Sequence, residues 1–292
     1  MIPDEICQYL ENWLHIETSP FTEIISFVPA GGGSINQAFR LETSSGNYFI
    51  KYNSADRYPG MFECEAKGLN LLRKSGCIQI PVVLHQAVTG KFDFLMLSYI
   101  DSSQPENNFW QVFGQQLAAL HQNSSPVFGL EYDNYIGSLK QVNHPHASWY
   151  EFLISERLEP QVKQAIDDGL LNLTDARRFD NFYKKLPEIL PQEPPALLHG
   201  DLWSGNFMVG GDGLPCIFDP AVYYGHRETD IGMTRLFGGF PKQFYDAYQD
   251  ALPMEKGWEA RVEYNQLYPL LVHVNLFGRS YTSQVRQITG RF

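Results

Sequence analysis

The stretch Leu198-His199-Gly200-Asp201-Leu202-Trp203-Ser204-Gly205-Asn206, with Asp219-Pro220 after it, decides how the rest of the chain is read. An Asp and an Asn with four residues between them, then a second Asp after a short hairpin, is the spacing of a loop that transfers a phosphoryl group. Asp201 stands where a base can accept the proton of an attacking hydroxyl. Asn206 leaves the same loop with an amide oxygen that can ligate Mg²⁺. Phe207-Met208-Val209 reads as a strand, Gly210-Gly211-Asp212-Gly213 as a tight turn and residues 214–218 as the returning strand. Such a hairpin returns Asp219 to the side of Asn206, so that two oxygen ligands converge on one hard cation. The competing reading is an ordinary loop whose Asp and Asn cap turns.

Upstream, strand signals at 23–28, 37–42 and 48–52 are joined by Pro29-Ala30-Gly31-Gly32-Gly33-Ser34 and by Thr43-Ser44-Ser45-Gly46-Asn47. A glycine-rich turn followed by a strand with a lysine suits ATP, because main-chain N–H groups reach the phosphates with no Cβ in the way. Gly31, Gly32, Gly33 and Ser34 are the candidates, although they match neither G-x-G-x-x-G nor the Walker A pattern. Lys51 in Phe49-Ile50-Lys51-Tyr52 either lies on a solvated face or reaches into a cleft. The next segment decides between these. A helix over 61–74 places Leu69 and Leu72 four and seven residues after Glu65, so Glu65 faces inward, whereas Glu63 can make a surface pair with Lys67. A buried Glu needs a cation, and Lys51 is its expected partner on the nucleotide phosphates.

Strands over 80–84 and 92–100 follow. The second ends at a hinge where the main chain of Ser98, Tyr99 and Ile100 is expected to hold adenine, with Met96 behind it. Beyond, helical patterns dominate: 109–123, 149–165, 174–186, 230–237, 241–252 and a long closing helix over 259–277. The expectation is an α+β, protein-kinase-like two-lobe fold. Residues 1–98 form a nucleotide-binding lobe of antiparallel sheet plus helix, 99–102 a hinge, and 103–292 a larger, mainly helical lobe for catalysis and substrate. A chain of 292 residues with 43% hydrophobic and 14% aromatic content can bury such a core. A formal charge of −11 argues against nucleic-acid partners. No apolar run of about 18 residues occurs, the first residues lack a basic, then apolar leader, and the four cysteines are scattered. A soluble cytoplasmic monomer with free thiols is expected, with no membrane partner.

With these residues in place, the chain resembles the fructosamine kinase (ketosamine 3-kinase) family, within the aminoglycoside phosphotransferase and choline kinase group. The matching segments include Gly31 to Phe39, Phe62-Glu63-Cys64-Glu65-Ala66, Asp133-Asn134-Tyr135-Ile136-Gly137, Glu156-Arg157-Leu158-Glu159-Pro160, the catalytic loop, Tyr224-Gly225-His226, Phe237-Gly238-Gly239-Phe240 and the run from His273 to Tyr281. The resemblance implies Asp201 as base, Asn206 and Asp219 as Mg²⁺ ligands, Lys51 on the phosphates of ATP and Glu65 as its partner. The implied reaction carries the γ-phosphoryl group of ATP to a sugar hydroxyl of a small-molecule or protein-bound ketosamine, in deglycation. Trp203 either stacks on a sugar face or packs the loop. His226 either meets substrate or makes a structural hydrogen bond, and Asp230 anchors the loop or caps a helix. One departure is Ser34, where many eukaryotic relatives carry a Cys, so no redox switch is expected in that turn. The competing functions are a kinase for an aminoglycoside, choline or homoserine, and a nucleotide-binding pseudokinase. Absence of H-R-D, D-F-G and A-P-E argues against a protein kinase.

Overall fold

The computed structural model describes residues 2–31 and 35–292. Strands β1 (Ile24–Pro29), β2 (Gln37–Thr43), β3 (Gly46–Ser54), β4 (Val83–Thr89) and β5 (Phe92–Ser98) form one antiparallel sheet in the order β1-β2-β3-β5-β4. Successive residues of a strand point to opposite faces, so the register Ile50↔Met96 and Lys51↔Leu95 sorts the sheet into two sides. Ile50, Phe94 and Met96 pack against Ile6, Leu10 and Leu14 of α1 (Asp4–Glu17). Leu95 and Leu97 instead belong with Phe62, Leu69 and Leu72 of α2 (Met61–Lys74). Each fully buried aliphatic side chain contributes roughly 1.5–3 kcal/mol, enough to hold short helices that would be marginal alone. The strand expected over 80–84 starts at Val83 instead, because Pro81 has no N–H for a ladder. It then runs through polar His85 and Gln86, which the apolar pattern concealed.

The helical part opens with α3 (Phe109–His121) and the small hairpin of β6 (Asn134–Ile136) and β7 (Leu139–Gln141). The helix expected over 149–165 forms as α4 (Trp149–Phe152) and α5 (Glu159–Asp167), joined by a wider π turn over Leu153–Leu158. Pro160 cannot donate back to Glu156, and the widened turn accommodates that loss. Next come α6 (Leu173–Ile189), β8 (Ala196–Leu198), β9 (Phe207–Val209), β10 (Pro215–Ile217), β11 (Tyr223–Gly225), α7 (Glu228–Thr234) and α8 (Lys242–Ala251). The single closing helix expected over 259–277 is two helices, α9 (Trp258–Asn265) and α10 (Leu267–Phe277). Pro269 has no N–H to give the Asn265 carbonyl, so the ladder breaks there. A last helix, α11 (Thr282–Thr289), was not foreseen.

The two parts share a core. Phe62 and Leu69 of α2 pack in one cluster with Phe113, Leu117, Leu197, Ile217 and Val222. The approach is close: a Cβ on Gly68 would stand 2.9 Å from Val222 Cγ2. Helix α2 is thereby seated on the chain just after Asp219, which sets the mouth of the cleft. All four cysteines are free thiols, and among the described residues no helix is long and apolar enough to cross a membrane.

Candidate active site

The catalytic loop hangs between two short ladders. β8 pairs with β11 through Leu198↔Tyr223, and β9 pairs with β10 through Phe207↔Ile217. Phe218 N–H donates to the Asn206 carbonyl at 3.1 Å, closing the hairpin beside Asp219. The loop also needs a glycine at 200. Its φ is +83°, and a Cβ there would stand 2.1 Å from the Ala221 carbonyl oxygen. Asp219 has φ +55°, the one positive value among the described non-glycine residues, and Asp tolerates this region better than most. Held so, its side chain stays half exposed toward the cleft.

Buried Asp230 holds the loop from beneath. Its two oxygens accept the N–H groups of His199 at 2.8 Å and Gly200 at 2.9 Å, and His121 Nε2 lies 3.2 Å away. Burial alone would raise this carboxyl, but the hydrogen bond and charge of His121, with His199 and the Gly200 N–H, hold it below the usual range. His199 Nε2 donates to the Phe218 carbonyl at 3.0 Å, tying the loop to the segment that ends in Asp219. Of the alternatives for Asp230, anchoring is the one these contacts describe.

Lys51, Glu65, Asp201, Asn206 and Asp219 all line one cleft of about 220 Å³. Lys51 Nζ lies 2.5 Å from Glu65 Oε1 and 2.6 Å from Asp219 Oδ1, while Glu63 pairs with Lys67 at the surface, 2.6 Å apart. Burial works against the Lys51 charge, yet Asp219 and Glu65 outweigh it and keep the ammonium protonated. Burial pushes the Glu65 carboxyl up to about 7; Lys51 opposes this and Asp219 reinforces it. Asp201 is raised well above the ordinary range by burial, with Asp219 and Asp230 adding to the rise and Asn206 opposing it. Asn206 Nδ2 donates to the Asp201 carboxylate at 3.0 Å and to its carbonyl at 2.8 Å. Its amide is therefore oriented with the oxygen left for a cation. One amide oxygen and one carboxylate suit Mg²⁺, which takes few protein ligands and completes its shell with phosphate and water. Among the described residues no cluster of three or more His, Cys, Asp or Glu could cage a metal by itself.

Other expected residues fall elsewhere. Met96 is corrected: it packs on the α1 side of the sheet, opposite to Lys51, and it is Leu95 and Leu97 that share the Lys51 face. Ser98 has its N–H on the Val82 carbonyl at 2.8 Å and its hydroxyl accepting from Val82 N–H at 2.9 Å. The Ser98 N–H and hydroxyl are thus engaged within the sheet. His226 takes the structural alternative and not the substrate one: it is fully buried, does not line the cleft, accepts the Glu228 N–H at Nδ1 at 3.3 Å and lies tilted to Trp149, ring centroids 6.1 Å apart. Trp203 lines the cleft and also folds over its own loop, since a Cβ on Gly205 would stand 2.4 Å from the indole. Gly31 is described and exposed; Gly32, Gly33 and Ser34 lie outside the described residues. The sequence reading missed the cleft walls made by Asn134, Tyr135 and Gly137 of the β6–β7 hairpin and by His273, Leu276 and Phe277 of α10. Their segments carried the family resemblance, and that was the signal available.

Compared with known proteins, residues 7–292 match the family model of fructosamine kinase. The chain belongs to the fructosamine kinase family. It is 39% identical to a probable ketoamine kinase of Enterococcus faecium over 91% of this chain and 94% of that one. It is 36% identical to the chloroplastic protein-ribulosamine 3-kinase of Arabidopsis thaliana, over 96% and 86% of the two chains. A crystal structure from Thermobifida fusca, provisionally named a fructosamine-3-kinase, superposes with a TM-score of 0.82 at 35% identity, covering 92% of this chain and 95% of that one. Spectinomycin phosphotransferase, solved with ADP and spectinomycin, shares the kinase-like fold at a TM-score of 0.59 and 17% identity. Membership in the fructosamine kinase family makes this chain an ATP-dependent phosphotransferase acting on a sugar hydroxyl.

Proposed function

We propose that the protein phosphorylates the 3-hydroxyl of a ketosamine sugar, with Mg²⁺ held by Asn206 and Asp219 and with Asp201 as base. The observation that carries this is the meeting of Lys51, Glu65, Asp201, Asn206 and Asp219 in one cleft of a chain matched to the family from residue 7 to its end. Asp201 accepts the hydrogen bond of the attacking hydroxyl and aligns its oxygen with the γ-phosphorus. The sugar O–P bond forms as the bond to the ADP oxygen breaks, and the hydroxyl proton passes to the Asp201 carboxylate. Asn206 fixes that carboxylate through Nδ2. Lys51, kept protonated and placed by Glu65, sets a fixed positive charge on the α- and β-phosphates. A Mg²⁺ held by Asn206 and Asp219 would neutralise charge developing on the phosphates. Tyr99 and Ile100 are the hinge positions assigned to adenine, and residues 99–102 join the two lobes.

The test is ADP release with 1-deoxy-1-morpholinofructose, followed by location of the phosphate by ³¹P–¹H correlation. Turnover with the phosphate on O3 is expected, and kanamycin, choline and homoserine should stay near background. Turnover of one of those three with none on the ketosamine refutes the substrate reading.

A further inference from the structure

The cleft does not end at Asp201. A second cavity of about 420 Å³ opens beside it, and the two share Ile35, Leu276 and Phe277 as common walls. Gly137 keeps this junction tight: its φ is +56°, and a Cβ there would stand 2.8 Å from Leu276 Cδ1 and 3.5 Å from Ile35 Cδ1. Phe277, large and apolar, is 52% exposed at the same place. Beyond the apolar junction the lining mixes aromatic Tyr58 and Phe92 with polar Asn53, Ser54, Ser138 and Arg57. Arg57 Cζ lies 5.2 Å from the Tyr58 ring centroid, and among the described residues Arg57 has no ion pair with an acid. In a chain with 33 acidic and 22 basic residues, that leaves an arginine available beside the active site.

The order of chemistries along this path is acid, apolar, base. Asp201 lines the first cavity with Glu65 and Asp219, which hold Lys51 between them; Ile35, Leu276 and Phe277 form the junction, and Arg57 stands at the far end. A protonated secondary amine suits the acidic end, methylenes suit the junction, and a carboxylate matches the arginine fork. Lys51 in the first cavity is already paired with Glu65 and Asp219, so the base left free for a carboxylate is Arg57.

We propose that Arg57 is a specificity-determining residue that selects ketosamines whose amine substituent ends in a carboxylate on an aliphatic linker, as in lysine glycated on its ε-amine. This rests on the ketosamine reading above. The sugar lies at Asp201, the linker crosses Ile35, Leu276 and Phe277, and the carboxylate meets the Arg57 guanidinium. Arg57 is exposed, so solvent screening keeps the preference moderate.

The experiment compares Nα-acetyl-Nε-fructosyl-lysine with its C-terminal amide, which differ by one charge far from the reacting sugar. Wild-type protein is expected to show KM about fivefold lower for the carboxylate than for the amide, with kcat alike. Arg57→Ala should bring the two KM values together, and Arg57→Glu should reverse their order. Raising salt should shrink the wild-type difference. Turnover of both substrates with equal KM in the wild type, or a difference that survives Arg57→Ala, overturns the role of Arg57 and leaves the ketosamine reading standing. No turnover of either substrate by a folded, Mg·ATP-supplied protein overturns both.

Discussion

Replacing Glu65 by Gln tests the helix phase and the electrostatics of the cleft together. Lys51 sits between two carboxylates, 2.5 Å from Glu65 and 2.6 Å from Asp219. The side chains of Lys51 and Glu65 are only 4% and 11% exposed, whereas that of Asp219 is 49% exposed. Without the Glu65 charge, Lys51 turns wholly to Asp219 and competes with the metal for it. A hydrogen bond to a charged group contributes roughly 1.5–3 kcal/mol. At about 1.4 kcal/mol per decade of rate, its loss lowers kcat/KM for ATP by roughly 10- to 100-fold. Lys51→Met removes the phosphate contact as well and should fall at least as far. The double variant should be little worse than Lys51→Met alone, because both changes break one shared interaction. Glu63→Gln is the control: its pair with Lys67 is 2.6 Å long, but both side chains are at least half exposed, so less than a twofold change is expected. The assay is steady-state ADP release with ATP varied at saturating ketosamine. Equal damage from Glu63→Gln and Glu65→Gln, or additive losses in the double variant, refutes the reasoning.

Asp201→Asn should lower kcat by roughly 10² or more with little change in ATP affinity measured by equilibrium binding. Because the base must be ionised and its carboxyl is raised, wild-type activity should fall on acidification above the ordinary Asp value of about 3.9, and a limb at or below that value contradicts the burial argument. Activity should disappear with EDTA and return with Mg²⁺ or Mn²⁺ but not Zn²⁺; full turnover after rigorous metal removal excludes Asn206 and Asp219 as essential ligands. Gly200→Ala should destabilise the fold by about 2 kcal/mol or more, since the new methyl meets the Ala221 carbonyl at a position of positive φ; an unchanged urea midpoint shows that the loop relaxes freely.

Local spacing carried much of this protein. The distances from Asp201 to Asn206 and across the hairpin to Asp219 are covalent and short, so turn and ladder geometry alone brings those three side chains together. The 3.6-residue period of α2 likewise separated inward Glu65 from outward Glu63. Pro81, Pro160 and Pro269 are legible in the sequence as well, but the apolar patterns run straight through them and hide the breaks they make. Tertiary packing decided the rest. Which face of β5 meets the cleft depends on register against β3 and on which helix covers each side, so Met96 and Leu97 could not be told apart from their own strand. His226 follows an expected metal ligand by only a few residues, but β11 turns it into the core. Asn134, Gly137, His273 and Phe277 stand far from Asp201 in the chain and reach the cleft only because the β6–β7 hairpin and the end of α10 pack against it. Asp230 reaches back to His199 and Gly200 in the same way. Periodicity and spacing act within a few turns of chain; proximity between distant segments comes from the shape in which their apolar faces fit together, and no single segment encodes that.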